Sequence, residues 1–157
     1  MACSLSACGS NNTNGNAKDS GIKEVPLDKE VVLVDNENIT ITATAKYEVP
    51  CTNFTDHEVG YRVFIENHSD YYASVSYERL SVGGFMVDER FGYIDVVAPE
   101  KKAYSSLAIY VGEDVTNNTV ETIDDLFDTE GIIRVSINTD GSNHYTVTDW
   151  GCEFHID

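Results

Sequence analysis

The sequence predicts an all-β fold built from two packed antiparallel sheets, and three observations point there. From Val31 onward, apolar and polar residues alternate with period two in one stretch after another, the mark of strands buried on one face. Turn-forming clusters separate these stretches: Asn36-Glu37-Asn38, Asn67-His68-Ser69-Asp70, Gly83-Gly84, Ala98-Pro99-Glu100 and Asp140-Gly141-Ser142-Asn143. Each supplies residues that tolerate a tight reversal or a positive φ. Finally, 157 residues of which 41% are hydrophobic suffice for one domain with an ordinary core and a tail.

Taken in order, "VVLVD" (31–35) opens the series. "NITITATAKYEV" follows, with Ile39, Ile41, Ala43, Ala45 and Tyr47 on one face and Thr40, Thr42, Thr44 and Lys46 on the other. "EVGYRVFIEN" turns Val59, Tyr61, Val63 and Ile65 inward, opposite Glu58, Arg62 and Glu66. Further β-rich runs cover 71–82, 84–88, 92–97, 103–112, 131–138, 144–149 and 152–156. Only "VETIDDLFDTEG" (120–131) reads as a short helical segment, near 122–129. Thr122 is its cap, Ile123, Leu126 and Phe127 lie on one side, and Gly131 closes it. About ten short strands without regular helices make an immunoglobulin-like antiparallel β-sandwich, in the broad sense of that term. A closed barrel is the competing architecture.

Before the strands, "GSNNTNGNAKDSG" (9–21) is almost free of apolar side chains and cannot offset the entropy of ordering. Residues 9–30 are therefore expected to act as a flexible polar tether ahead of a sandwich domain at 31–157. No run approaches the roughly 18 apolar residues of a spanning helix.

Leu5-Ser6-Ala7-Cys8, followed by Gly9 and Ser10, resembles the lipobox of bacterial lipoproteins. The resemblance implies that Cys8 carries a diacylglyceryl group as the new N-terminus, and that Leu5, Ser6 and Ala7 are recognised by the peptidase and removed. Only seven residues precede Cys8, whereas a complete signal also has a basic region and an apolar region. Residues 1–8 are therefore expected to be the end of a longer signal, with Met1 an internal methionine. Lipid on Cys8 would anchor the domain at the outer face of the bacterial cell membrane, two acyl chains giving stable attachment where one is marginal.

The folded region carries a second resemblance. "IENHSD", "SVGGFMVD" and "VVAPEKKAYSSLAI" are similar to stretches of Gram-positive bacterial lipoproteins with an immunoglobulin-like domain. Glu100 stands where that family usually has glycine. The resemblance implies the fold and the anchoring, and names no ligand, because members of the family are mostly of unassigned function.

Composition narrows the function. Twenty-seven acidic against ten basic residues give a formal charge of -17, which repels nucleic-acid phosphates. No Ser-His-Asp order, glycine-rich phosphate loop or recognisable carboxylate pair is present, so neither an enzyme nor a cofactor is expected. His57, His68, His144 and His155 sit singly, and Asp124, Asp125, Asp128 and Glu130 lack the spacing of a calcium loop, so no metal is expected. With Cys3 and Cys8 in the signal, Cys51 and Cys152 are left either to form a disulfide or to remain as two thiols. A bond closing a loop of about 100 residues would stabilise by about 4.7 kcal/mol in the chain-entropy model. Tyr71, Tyr72, Tyr77 and Trp150 are the candidate ligand-contact aromatics, since their flat faces and polar edges suit a sugar or a protein partner, although strands favour such residues anyway. The expectation is an anchored binding or interaction module with a protein, peptide or carbohydrate partner. The alternatives are an envelope spacer without a discrete ligand and, less favoured, a hydrolase.

Overall fold

A computed structural model describes residues 21–50, 57–87, 95–111, 120–140 and 146–157. Over these residues the chain forms β1 (Lys23–Asp35), β2 (Ile39–Val49), β3 (His57–Asn67), β4 (Tyr72–Val82), β5 (Phe85–Met86), β6 (Asp95–Val97), β7 (Lys102–Val111), a 3-10 turn (Ile123–Asp125), β8 (Thr129–Asn138) and β9 (Thr146–Ile156). One sheet has the order β1-β2-β3-β7 and the other β5-β4-β8-β9, with β6 also pairing β4. All pairs are antiparallel. This is the all-β sandwich that the alternation predicts.

The core is the sum of the inward rows. Ile39, Ile41 and Ala43 of β2, Val59, Tyr61, Val63 and Ile65 of β3 and Leu107 and Ile109 of β7 meet Ala73, Val75 and Tyr77 of β4 and Ile133, Val135 and Ile137 of β8. Each fully buried aliphatic side chain contributes about 1.5–3 kcal/mol. At one end, the Tyr61 hydroxyl crosses between the sheets to Thr129 Oγ1 at 2.9 Å. Burial raises the pKa of that phenol, against the opposing effect of its bond to Thr129.

At the opposite end a single buried side chain ties two turns together. Asn67 Nδ2 lies 2.8 Å from Tyr71 O and 3.0 Å from both Val97 O and Ala98 O, while its Oδ1 accepts from Ser69 N and Ser69 Oγ. "IENHSD" and "APEKKA" are thus two halves of one contact. In the second half, Lys101 N–H donates to Ala98 O at 3.2 Å, with Pro99 and Glu100 at the corner and Glu100 at φ +55°. A proline followed by a positive φ is the arrangement of a type II turn. The Gly83-Gly84 hairpin has φ of +58° and +79°, as a two-residue type I′ turn requires.

Several boundaries differ from expectation. β1 begins at Lys23, so residues 23–30 of the expected tether form a mostly exposed outer strand on the edge of the first sheet. Two runs are expected at 144–149 and 152–156, but Thr146–Ile156 is one continuous strand, with Gly151 opposite Arg134 in mid-ladder. The helical segment is a single 3-10 turn rather than a helix over 122–129. Thr122 does cap it, in a box with Asp125, but Leu126 already has extended backbone. The physical reason is that Leu126 is fully buried and Thr129 already pairs with Val82 and Ile156, which leaves no chain for a second turn. Phe127 is exposed and Gly131 lies within β8 rather than closing a helix.

The largest departure is in β2. Ala43 pairs with Val63 but Ala45 pairs with Arg62, so Thr44 is an extra residue, a β-bulge. Beyond it the faces exchange. Lys46 stands opposite Tyr61 and turns inward to hydrogen-bond Leu126 O. Ala45 and Tyr47 stand opposite Arg62 and Gly60 on the outer surface, and neither belongs to the core cluster.

Candidate ligand-binding face

The outer face of the first sheet is built by the same alternation that builds the core. With Val59, Tyr61, Val63 and Ile65 inward, β3 presents Glu58, Gly60, Arg62, Phe64 and Glu66 outward. With Leu107 and Ile109 inward, β7 presents Tyr104, Ser106 and Ala108. The β3-β7 register has no shift, so Phe64 faces Tyr104, Arg62 faces Ser106 and Gly60 faces Ala108.

The bulge at Thr44 places Tyr47 in this surface, and Arg62 covers it. The guanidinium carbon lies 4.0 Å from the Tyr47 ring centroid, and Arg62 Nε donates to Glu24 Oε2 at 3.1 Å. Stacking of this kind contributes about 0.5–2 kcal/mol. Tyr47 is fully buried by it and by its neighbours. Gly60, opposite Tyr47, cannot be larger: a Cβ there would come within 2.0 Å of Leu107 O.

Next to this stack, Phe64 and Tyr104 have ring centroids 4.9 Å apart and tilted by 42°. Lys102 Nζ sits 5.7 Å from the Phe64 centroid and pairs with Glu66. The result is an aromatic ring, Tyr104, that is 81% exposed yet held against a second ring. Between Tyr104 and the Arg62-Tyr47 stack lies an open hollow of about 540 Å³, lined by Glu24, Thr44, Glu58, Arg62, Tyr104 and the serines 105 and 106. It combines guanidinium and hydroxyl donors, carboxylate acceptors and a flat apolar face. A larger hollow of about 900 Å³ along β1 is bordered by Lys23, Lys29, Lys46, Asp124, His155 and Asp157, with no Phe, Tyr or Trp among its lining residues.

The aromatics proposed from sequence do not assemble. Tyr77 is only 9% exposed and belongs to the core. Trp150, opposite Val135, packs half-buried against that core. Tyr71 is exposed, and its carbonyl is tied to Asn67. Tyr72 begins β4 opposite Asn138. Tyr104 is the exposed ring beside the first hollow, and the parity of "AYSSLAIYV" carries that placement: Leu107 and Ile109 as core positions put Tyr104 and Ser106 on the other face.

Cys8 and Cys51 lie outside the described residues, as do Cys3 and His144. Cys152 is half-buried and has a free thiol, its Sγ 3.8 Å from Leu33 O. The other histidines occupy separate places. His57 lies 3.3 Å from Glu48, His68 lies 3.0 Å from Thr40 Oγ1, and His155 lies 2.7 Å from Asp128. The hydrogen bond to Asp128 raises the pKa of His155 above its ordinary 6.5, assisted by Asp157 and Glu130. The acidic run is divided in the same way. Asp125 accepts from the Glu121 and Thr122 amides, which lower its pKa, and Glu130 accepts from Ser81. No protein-family model, curated protein or solved structure matches the chain.

Proposed function

We propose that the chain is an extracytoplasmic binding module, held at the membrane by lipid on Cys8, with its ligand taken at the outer face of the first sheet. The observation that carries the binding half is the hollow beside Tyr104. An exposed ring, a guanidinium fixed by Tyr47 and Glu24, and serine and threonine residues from two strands lie together on one surface, a small set of polar groups beside one apolar face. The anchoring half is supported by Leu5-Ser6-Ala7-Cys8 and the polar stretch after it, and by the likeness of the strand motifs to Gram-positive lipoproteins.

Anchoring is tested by expressing the gene with its upstream in-frame codons and feeding a palmitate analogue. Label on the protein that disappears in Cys8→Ala is expected, and label that survives the substitution sinks the anchor. Binding is tested by titrating the full chain with panels of soluble peptides and oligosaccharides while following amide shifts. Shifts at Tyr104, Ser106 and Arg62 are expected. A face that stays silent to every panel returns the spacer reading.

A further inference from the structure

We infer that the hollow takes a neutral oligosaccharide, one ring of which stacks on Tyr104 while its hydroxyls bond to the groups around Arg62; the inference rests on the binding-module reading above. The argument is one of chemical fit. Tyr104 is 81% exposed although its strand contributes fully buried Leu107 to the core, and Phe64 at 4.9 Å limits the positions the ring can take. An aromatic held this way offers an apolar face at low conformational cost.

On the same face of β7, Ser106 is two residues on, about 7 Å along the strand. Across from it is Arg62, its guanidinium held by the Tyr47 ring on one side and Glu24 on another. Glu58 lies four residues from Arg62 along β3, again on the outer face. The hollow therefore holds two carboxylates, one guanidinium and several hydroxyls. With Glu24 paired to Arg62, Glu58 is the one surplus charge among these residues, and the hollow holds both donors and acceptors.

That mixture suits other ligand classes less well. A phosphate or other strong anion would meet Glu24 and Glu58. A basic peptide would find one surplus carboxylate, Glu58, but would meet Arg62 beside it, and a wholly apolar ligand would desolvate the Arg62-Glu24 pair without replacing its hydrogen bonds. A sugar ring has an apolar face for Tyr104 and hydroxyls that both donate and accept, so it satisfies each group at once. The hollow's size, about 540 Å³, falls within the range of small-ligand sites.

The test uses the full chain and named probes: neutral tetrasaccharides of glucose and of N-acetylglucosamine, an acidic uronic-acid oligomer and a lysine-rich peptide. Binding of at least one neutral tetrasaccharide is expected, reduced about tenfold or more by Tyr104→Ala and kept by Tyr104→Phe. Tyr104 is exposed, so the alanine variant folds, and an unchanged melting temperature verifies this. Arg62→Gln is expected to weaken the same interaction, and an unchanged affinity overturns the assigned contacts around Arg62. The proposal is overturned if neither tetrasaccharide binds, or if Tyr104→Ala leaves the affinity unchanged. A peptide or uronate shifting Tyr104 and Ser106 in place of the neutral sugars overturns the ligand class and leaves the binding module standing. Silence to all four probes overturns the saccharide, and the broader panels then decide the module.

Discussion

Glu100 occupies a backbone position suited to glycine. Its φ of +55° is in the left-handed region, where a side chain costs about 1–2 kcal/mol, and glycine returns part of that through its freedom in the unfolded chain. Glu100→Gly is therefore expected to stabilise the domain by up to about 1 kcal/mol, read as a higher melting temperature. His155 provides a second single-residue expectation. Its bond to Asp128 favours the protonated ring and raises the pKa above 6.5. The contribution of this pair is thus fully present below about pH 6.5 and is lost as pH rises through the folded-state value. An NMR titration should place the His155 midpoint above its ordinary value, and Asp128→Asn should move it back down.

Individual strands obey the alternation rule, but their joints depend on contacts from elsewhere in the chain. Asn67 is the clearest instance, since its amide joins the turn after β3 to the turn before β7. Asn67→Ala would leave several buried carbonyl and amide groups without that partner, each costing about 1–3 kcal/mol. A loss of about 3 kcal/mol or more is expected in chemical denaturation, accompanied by faster amide exchange at both turns. The bulge in β2 acts on a whole element. Burial along "ITITATAKY" alternates without a break, as the sequence implies, yet its two halves are buried on opposite faces of the sheet. Period two is a local property of the chain. The insertion of Thr44 is visible only in the pairing of β2 with β3.

The arrangement of the whole molecule bears on the cysteines. Cys152 lies beside Leu33, at the level where Val32 pairs with Thr42. From Thr42, β2 continues seven residues to Val49, roughly 23 Å at about 3.3 Å per residue, before it reaches Pro50, the peptide neighbour of Cys51. A disulfide requires Cα atoms within about 7 Å. No bond between Cys51 and Cys152 is expected, and intact mass should not gain two hydrogens on reduction. Sequence spacing left both outcomes open because it carries no information on which end of a strand faces which neighbour.

The class of fold, most of the core and the turns at 36–38, 67–70, 83–84 and 98–100 could be read from the amino-acid order, because burial at every second residue and turn-forming residues at reversals are requirements each short segment meets alone. Ile39, Ile41, Val59, Tyr61, Val63 and Ile65 are buried as expected for that reason. The candidate site was another matter. That Tyr104 stands exposed against Phe64, that Tyr47 leaves the core to lie under Arg62, and that Glu24 meets Arg62 from a strand 38 positions away all follow from register between strands. Register is set by hydrogen bonding and packing across the sheet, which local sequence pattern does not record.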